Sequence, residues 1–318
     1  MSIIAALPRS ALHLRLLAAN DPGVTHVLYR DEHIAAEIER LFPGKGIALG
    51  REGRPARNPL RWPASFAANR RYYAKVRNRL TPLGIERLIL FLEGEPLERM
   101  LADWFSGLIE LWEDGLSHYV DLTSPLWYAA RGGVQIAAGF YPKGALNRRA
   151  DRSRMIVRDR FETQDLVLPT PVIAAPQDRL LFIGSPLAED GIVTRSTLLA
   201  GLESVAAASP LPLAYLPHPR EDAAAARAMT DAVASVAIAP LPHGISPHVE
   251  VHGYRGFVSA ASTALLDLGT FDRSLFVPGL FGLQRMHRAL SGWNANPIAL
   301  AADARQLEAW IGTLTDQK

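Results

Sequence analysis

Two short segments carry the residues best equipped for chemistry: Glu113-Asp114-Gly115, and the histidine of Leu216-Pro217-His218-Pro219-Arg220-Glu221. A carboxylate beside a like charge is held less acidic and becomes a better base. Gly115 lets the backbone turn tightly at Asp114. His218 sits between two prolines that restrict the chain on both sides, so its imidazole rides on a stiff loop. Asp114 taking a proton from an attacking hydroxyl, and His218 acting on a departing phosphate, form the pair that a group transfer needs. Each also has a plain structural reading, a solvated turn for Asp114 and a packed loop histidine for His218.

Other residues fit the same chemistry. Gly256-Phe257-Val258-Ser259-Ala260-Ala261-Ser262-Thr263 offers hydroxyls and backbone N–H groups where a helix is expected to start, a cradle for an anion; Ser259 equally suits a simple N-cap. Glu250 suits ribose hydroxyls or plain surface charge. Arg220 adds positive charge near His218 unless its neighbour Glu221 neutralises it. A second Glu-Asp-Gly, Glu189-Asp190-Gly191, makes Asp190 a rival to Asp114. His243, His248 and His252 do not align as metal ligands, because Gly244 and Pro247 break any helix there. The chain has no Asp-x-Asp, no P-loop and no Gly-x-Ser-x-Gly elbow, which removes the metal-held diphosphate, nucleotide-triphosphate and usual hydrolase readings.

These residues must be positioned by an alternation of strands and helices. Ile3 to Leu7 reads as a first strand or helical turn, Val24 to Tyr29 as a strand, and Asp31 to Leu41 as a helix by the spacing of its apolar residues. The run Leu88 to Leu92 suits a strand buried on both faces, followed by a helix at Pro96 to Trp104. A strand at Leu108 to Trp112 leaves Glu113-Asp114-Gly115 at its C-terminal end, where ligands gather in open α/β sheets. Val167 to Gln177 contains Pro169, Pro171 and Pro176 and reads as a linker. Beyond it the alternation restarts: strand Arg179 to Gly184, helix Thr194 to Ala207, strand Leu213 to Leu216 with His218 just after it, and helix Glu221 to Ala234. A strand or loop at His248 to Val251, and Gly256 to Ser259 leading into a helix at Ala260 to Leu268, complete it. The expected organisation is therefore an N-terminal α/β domain over 1–166, a linker over 167–177 and a C-terminal α/β domain over 178–318, Rossmann-like and facing each other across an interdomain cleft.

With 318 residues, 48% hydrophobic and 21% charged, the chain suits two globular domains. It has no cysteine, so disulfides, thiolate catalysis and Cys-ligated zinc are excluded. The N-terminus does not read as a signal peptide, and no apolar run reaches the roughly 18 residues a membrane span needs. A cytoplasmic setting is expected. The net charge is only +2, but nine Lys or Arg stand between Arg51 and Leu80 against a single acid, Glu52. A second basic cluster runs from Lys143 to Arg160. These clusters suit solvated surface or an anionic partner such as the inner face of a membrane, and no nucleic-acid motif accompanies them.

Taken in order, Glu113-Asp114-Gly115, Phe182-Ile183-Gly184-Ser185-Pro186-Leu187, Tyr215 to Glu221 and Gly256-Phe257-Val258-Ser259 resemble bacterial sialyltransferases. The resemblance runs from about Leu108 to Leu268 and is closest to the lipooligosaccharide sialyltransferases, then to the capsular polysialyltransferases. It implies a GT-B fold and a metal-independent, inverting transfer from CMP-sialic acid, or a related CMP-sugar, to an oligosaccharide or glycolipid acceptor, with no cofactor. By motif, Asp114 would be the base and His218 the group acting on the CMP phosphate. Ser259, Ser262 and Thr263 would hold that phosphate and Glu250 the ribose, with Gly184, Pro219 and Arg220 beside them. This chain has Ser-Ala-Ala-Ser-Thr where the family has adjacent serines, and Asp190 remains the alternative base. A CMP-Kdo transferase, a UDP-sugar epimerase-like enzyme and a non-catalytic nucleotide-sugar or glycan-binding protein are the competing readings.

Overall fold

A computed structural model of the chain describes residues 2–53, 58–92, 94–112, 116, 119–120, 125–142, 153–156, 177–218, 220–239, 253–268, 270–294 and 296–315. The chain divides into two compact units, Met1–Pro169 and Thr170–Lys318. The division falls inside the proline-rich segment.

In the first unit, strands β1 (Ile4–Leu7), β2 (His26–Tyr29), β3 (Gly46–Ala48), β4 (Arg87–Leu90), β5 (Leu108–Trp112) and β6 (Ser153–Ile156) form one sheet. All neighbours pair in parallel, in the order β3-β2-β1-β4-β5-β6. Helices α1 (Ala11–Asn20), α2 (Ala35–Leu41), α3 (Trp62–Leu80), α4 (Pro96–Trp104) and α5 (Pro125–Ala137) form the crossovers. Strands in such a sheet are covered on both faces, which is why β1 and β4 are continuous apolar runs and not alternating ones. Ala5, Ala6, Leu7, Ile89 and Leu90 are fully buried.

The second unit repeats the plan. Strands β7 (Gln177–Ile183), β8 (Leu213–Leu216), β9 (Val236–Ile238), β10 (Tyr254–Ser259), β11 (Ser274–Phe276) and β12 (Ala299–Leu300) pair in parallel in the order β12-β11-β10-β7-β8-β9. Counted from its own first strand, this is the same 3-2-1-4-5-6 order as in the first unit. It defines the doubly wound Rossmann topology, with the switch point between the first and fourth strands. Helices α6 (Arg195–Ala207), α7 (Ala223–Asp231), α8 (Ala264–Asp267), α9 (Gln284–Ser291) and α10 (Ala304–Thr315) belong to this unit. Thr194 and Asp222 cap α6 and α7, their side chains accepting from Thr197 N and Ala225 N. Among the described residues no helix is long and apolar enough to cross a membrane.

Three expected helices are shorter than the sequence pattern suggested. The turn at Glu32–Ile34 is 3₁₀, so α2 starts only at Ala35. The helix expected from Glu221 starts at Ala223, because Asp222 is the cap. The helix expected at Ala260 to Leu268 shrinks to Ala264–Asp267. There the buried Ser259 hydroxyl accepts from Ala261 N at 3.3 Å and Ser262 N at 2.9 Å, tying the chain into a turn first.

The second core is assembled on Phe182, which stacks on Tyr215 at 5.6 Å and meets Phe281 at 5.4 Å. Gly201 of α6 is where that layer closes, since a Cβ there would lie 2.8 Å from Cγ of Phe281. The ring is fully buried and has little room to yield. Gly201→Ala is therefore expected to destabilise the second unit by about 1–3 kcal/mol through overpacking. Urea unfolding measures this; an unchanged midpoint would contradict the close approach of α6 to Phe281.

Candidate functional site

In a parallel sheet every strand ends at the same edge, so the strand order decides which loops become neighbours. Along the second sheet β8, β7 and β10 are adjacent. Their C-terminal loops are Pro217-His218, Gly184-Ser185 and Ala260 to Thr263, and they line up across the switch point. That is where open α/β sheets bind ligands.

The middle loop is held by three strands at once. Gly184 N donates to Leu216 O at 2.8 Å, and Ser259 Oγ donates to Ile183 O at 2.7 Å. Gly184 leaves space that no other residue would: a Cβ there would collide with Glu221 Oε1 and lie 2.8 Å from the Tyr215 hydroxyl. Into that space the Glu221 carboxylate folds inward. It accepts from the Tyr215 hydroxyl at 2.8 Å and from His218 N at 3.1 Å. Burial is the main force raising the Glu221 carboxyl to about 7; the two donated hydrogen bonds oppose it, and Glu189 adds to it. Tyr215 is raised for the same first reason, burial, with Glu221 contributing.

His218 is thus fixed through its own backbone. Its ring is fixed as well, because Arg220 N donates to His218 Nδ1 at 3.1 Å. An Nδ1 that accepts leaves the proton on Nε2, which is then the donor. Burial and then the Arg220 guanidinium push this imidazole below its usual range, while Asp190 and Glu189 pull it up. The result at neutral pH is an uncharged imidazole with a defined tautomer.

Arg220 turns away from Glu221, contrary to the possibility that the two neutralise each other. Its guanidinium pairs with both oxygens of Asp190, at 2.8 Å and 3.0 Å. Asp190 thereby joins the His218 loop to the loop after β7 through a bidentate ion pair. Ser259 is fully buried, and its hydroxyl already donates once and accepts twice. Its hydroxyl orients the turn that carries Ser262 and Thr263. Asp114, Pro219 and Glu250, with the histidines at 243, 248 and 252, lie outside the described residues.

Two participants were not singled out from sequence. Glu221 stood three residues from His218 as a charge of unknown direction. Ser185, directly after Gly184, is 8% exposed, and its buried hydroxyl has no hydrogen-bond partner among the described residues. An orphaned hydroxyl at a switch point is suited to meet a ligand oxygen. Behind the His218 loop, α6 and α7 enclose a cavity of about 300 Å³ lined mainly by Leu198, Leu199, Ala225, Ala228 and Met229, with Glu221 on its wall.

No family model and no curated protein sequence matches this chain. Solved structures do match along its whole length. A putative UDP-N-acetylglucosamine 2-epimerase from Listeria monocytogenes superposes with a TM-score of 0.56 at 8% identity, covering 100% of this chain and 89% of that one. The spinosyn rhamnosyltransferase SpnG superposes with a TM-score of 0.50 at 15% identity, covering 99% and 92%. The chain has the GT-B fold. In GT-B terms, β7 to β12 form the second Rossmann-like domain, and the edge described above is its switch point.

The first GT-B domain carries a different group at its own switch point. Arg9, after β1, contacts Glu98 of α4, Nε to Oε1 at 3.0 Å. Glu98 is 1% exposed, and burial raises its carboxyl to about 7 in spite of Arg9. Glu98 and Glu221 thus both hold protons more tightly folded than the ordinary 4.5 of the unfolded chain. Between about pH 4.5 and pH 7 the unfolded chain loses these protons first, so stability falls as pH rises through that window. Glu221→Gln should flatten this slope for the second domain and Glu98→Gln for the first. Thermal unfolding from pH 4 to pH 8 reads both; an unchanged slope in either variant would contradict its buried carboxyl.

Proposed function

We propose that this chain is a glycosyltransferase that moves a sugar from a nucleotide-activated donor to an acceptor hydroxyl, and that the donor is CMP-sialic acid or a related nonulosonate. The observation that carries this reading is the placement of His218, whose Nδ1 accepts from Arg220 N and so leaves Nε2–H as the donor, at the edge shared by the β7, β8 and β10 loops. A leaving phosphate gains negative charge as it departs. A preset N–H donor beside Ser185, Ser262, Thr263 and the Arg220 guanidinium suits that charge.

In the reaction the acceptor oxygen attacks the anomeric carbon, the bond from that carbon to the phosphate oxygen breaks, and the nucleotide leaves. The hydroxyl proton passes to a carboxylate, for which Asp114 is preferred over Asp190, since Asp190 is committed to Arg220. The nucleotide phosphate is met by His218, Ser262 and Thr263, with Glu250 for the ribose and Gly184 and Pro219 shaping the loops. No cofactor or metal enters this scheme. For the acceptor, the first domain offers a cavity of about 360 Å³ at the C-terminal edge of its sheet, lined by Arg30, Asp31, Arg51, Glu52, Glu95 and Arg131 among others. Mixed carboxylates and guanidinium groups suit the hydroxyls of a sugar.

The CMP donor is supported by the ordered motifs from Leu108 to Leu268. A UDP-sugar reading, including epimerisation, has its support in the likeness to the putative 2-epimerase. Thermal shifts with CMP, UDP and dTDP separate them. Protection by CMP alone is expected, and protection by UDP or dTDP but not CMP would overturn the donor. With a panel of CMP-sugars, which also separates sialic acid from Kdo, His218→Ala should lose about 10²–10⁴-fold in kcat while staying folded. Undiminished turnover would remove His218 from the mechanism, and absence of turnover with any donor would leave a binding protein.

A further inference from the structure

Helix α5 is built the wrong way round for a helix facing water. Its exposed described residues, Leu126, Ala129, Ala130, Gly133, Val134, Ile136 and Ala137, are apolar, with Arg131 the single charge among them. Leu126 is 82% exposed and Ile136 55%. The polar Gln135 faces inward at 7% exposure. Soluble helices place these classes the other way, and a contiguous exposed apolar face marks an interaction site.

The stripe continues onto α3. Asn69 of α3 donates through Nδ2 to Ala138 O at 2.8 Å, locking the end of α5 to α3. Phe66 lies at that junction, against the backbone of Gly139, and is 42% exposed. Just before α3, Leu60 is 87% exposed. Charge is as one-sided as hydropathy. The two helices carry Arg70, Arg71, Lys75, Arg77, Arg79 and Arg131, and no Asp or Glu. Arg70 lies 5.7 Å from the centre of the Phe66 ring, so cation and apolar group share one surface.

We infer that the α3–α5 face of the first domain docks on an anionic lipid bilayer, inserting Leu126, Ile136, Phe66 and Leu60 among the acyl chains while the α3 cations meet lipid headgroups. Apolar insertion combined with a cationic rim matches a surface that is hydrocarbon within and anionic outside. A protein partner or a second copy would account for the apolar stripe, but neither calls for two helices that carry six cations and no acid of their own. The inference does not rest on the donor or on His218.

The test is flotation of the full chain with vesicles of phosphatidylcholine alone or with added phosphatidylserine or phosphatidylglycerol. Binding is expected only to the anionic vesicles and should weaken as salt rises. Arg71→Gln with Lys75→Gln should lower partitioning about 30-fold, from roughly 5-fold per cation. Leu126→Glu with Ile136→Glu should lower it further at low salt. These side chains are exposed, so all variants should unfold at the temperature of the unaltered chain, and the charge pair provides a second test should the apolar pair misfold. No binding to anionic vesicles at low salt overturns the proposal, as does binding that both variants leave intact. A concentration-dependent dimer that Leu126→Glu with Ile136→Glu abolishes, without vesicle binding, overturns it in favour of self-association.

Discussion

The Glu221 carboxylate occupies the space that any side chain at position 184 would fill, and the second domain's edge is organised by that exchange. A buried carboxylate needs donors. Here they are the hydroxyl of Tyr215, from the middle of β8, and the N–H of His218, from just past its end. The strand is thereby coupled to the loop it leads into. With the loop closed, Arg220 N reaches His218 Nδ1 and the tautomer is set. With Glu221 turned inward, the Arg220 guanidinium is released to bridge to Asp190. One missing Cβ thus sets the orientation of an imidazole, a guanidinium and two carboxylates.

The two domains share a strand order but not a site. Topology dictates where a ligand-binding edge lies and leaves its chemistry to the loops. In the first domain the switch point is occupied by Arg9 and Glu98, a buried ion pair whose contact lacks hydrogen-bonding geometry, so both Glu98 oxygens are without a hydrogen-bond partner among the described residues. In the second it is framed by an uncharged imidazole, hydroxyls and backbone. A leaving phosphate brings its own charge and is best met by donors that are already aimed. The second edge has that character, and the first does not.

Much of this was legible in the sequence, for reasons that differ by element. Leu88–Leu90 and Leu213–Leu216 declare themselves because a doubly covered strand must be apolar throughout. Pro96–Trp104 begins with a proline at the first helical position. Strands of two or three residues, such as β3, β9 and β12, have no pattern long enough to read. Helix α3 was visible only as a cluster of charge, because Tyr73, Val76 and Leu80 are the few apolar side chains it buries. In the site, His218 and Arg220 could be found by type, but the direction of Glu221 could not. Sequence shows that Glu221 follows Arg220; only packing shows that one turns in and the other reaches Asp190, 30 positions away. Ser259 misled in the opposite sense. Its hydroxyl, apparently offered to a ligand, is spent on Ile183 and on its own turn.

A chain that obeys local rules nearly everywhere draws notice to where it breaks them, since consistency across levels is what folding demands. The break at Gly184 and Glu221 places a carboxylate in a core. The break at α5 places a core-like face outside. Neither is what stability alone would select: an apolar residue at 221 would avoid desolvating a charge, and polar residues at 126 and 136 would suit water better. In the first case the carboxylate fixes a histidine that no apolar residue could hold. By the same logic the proposed compensation for the α5 stripe lies outside the fold, and the cations of α3 and α5, two helices without an acid of their own, favour an anionic surface.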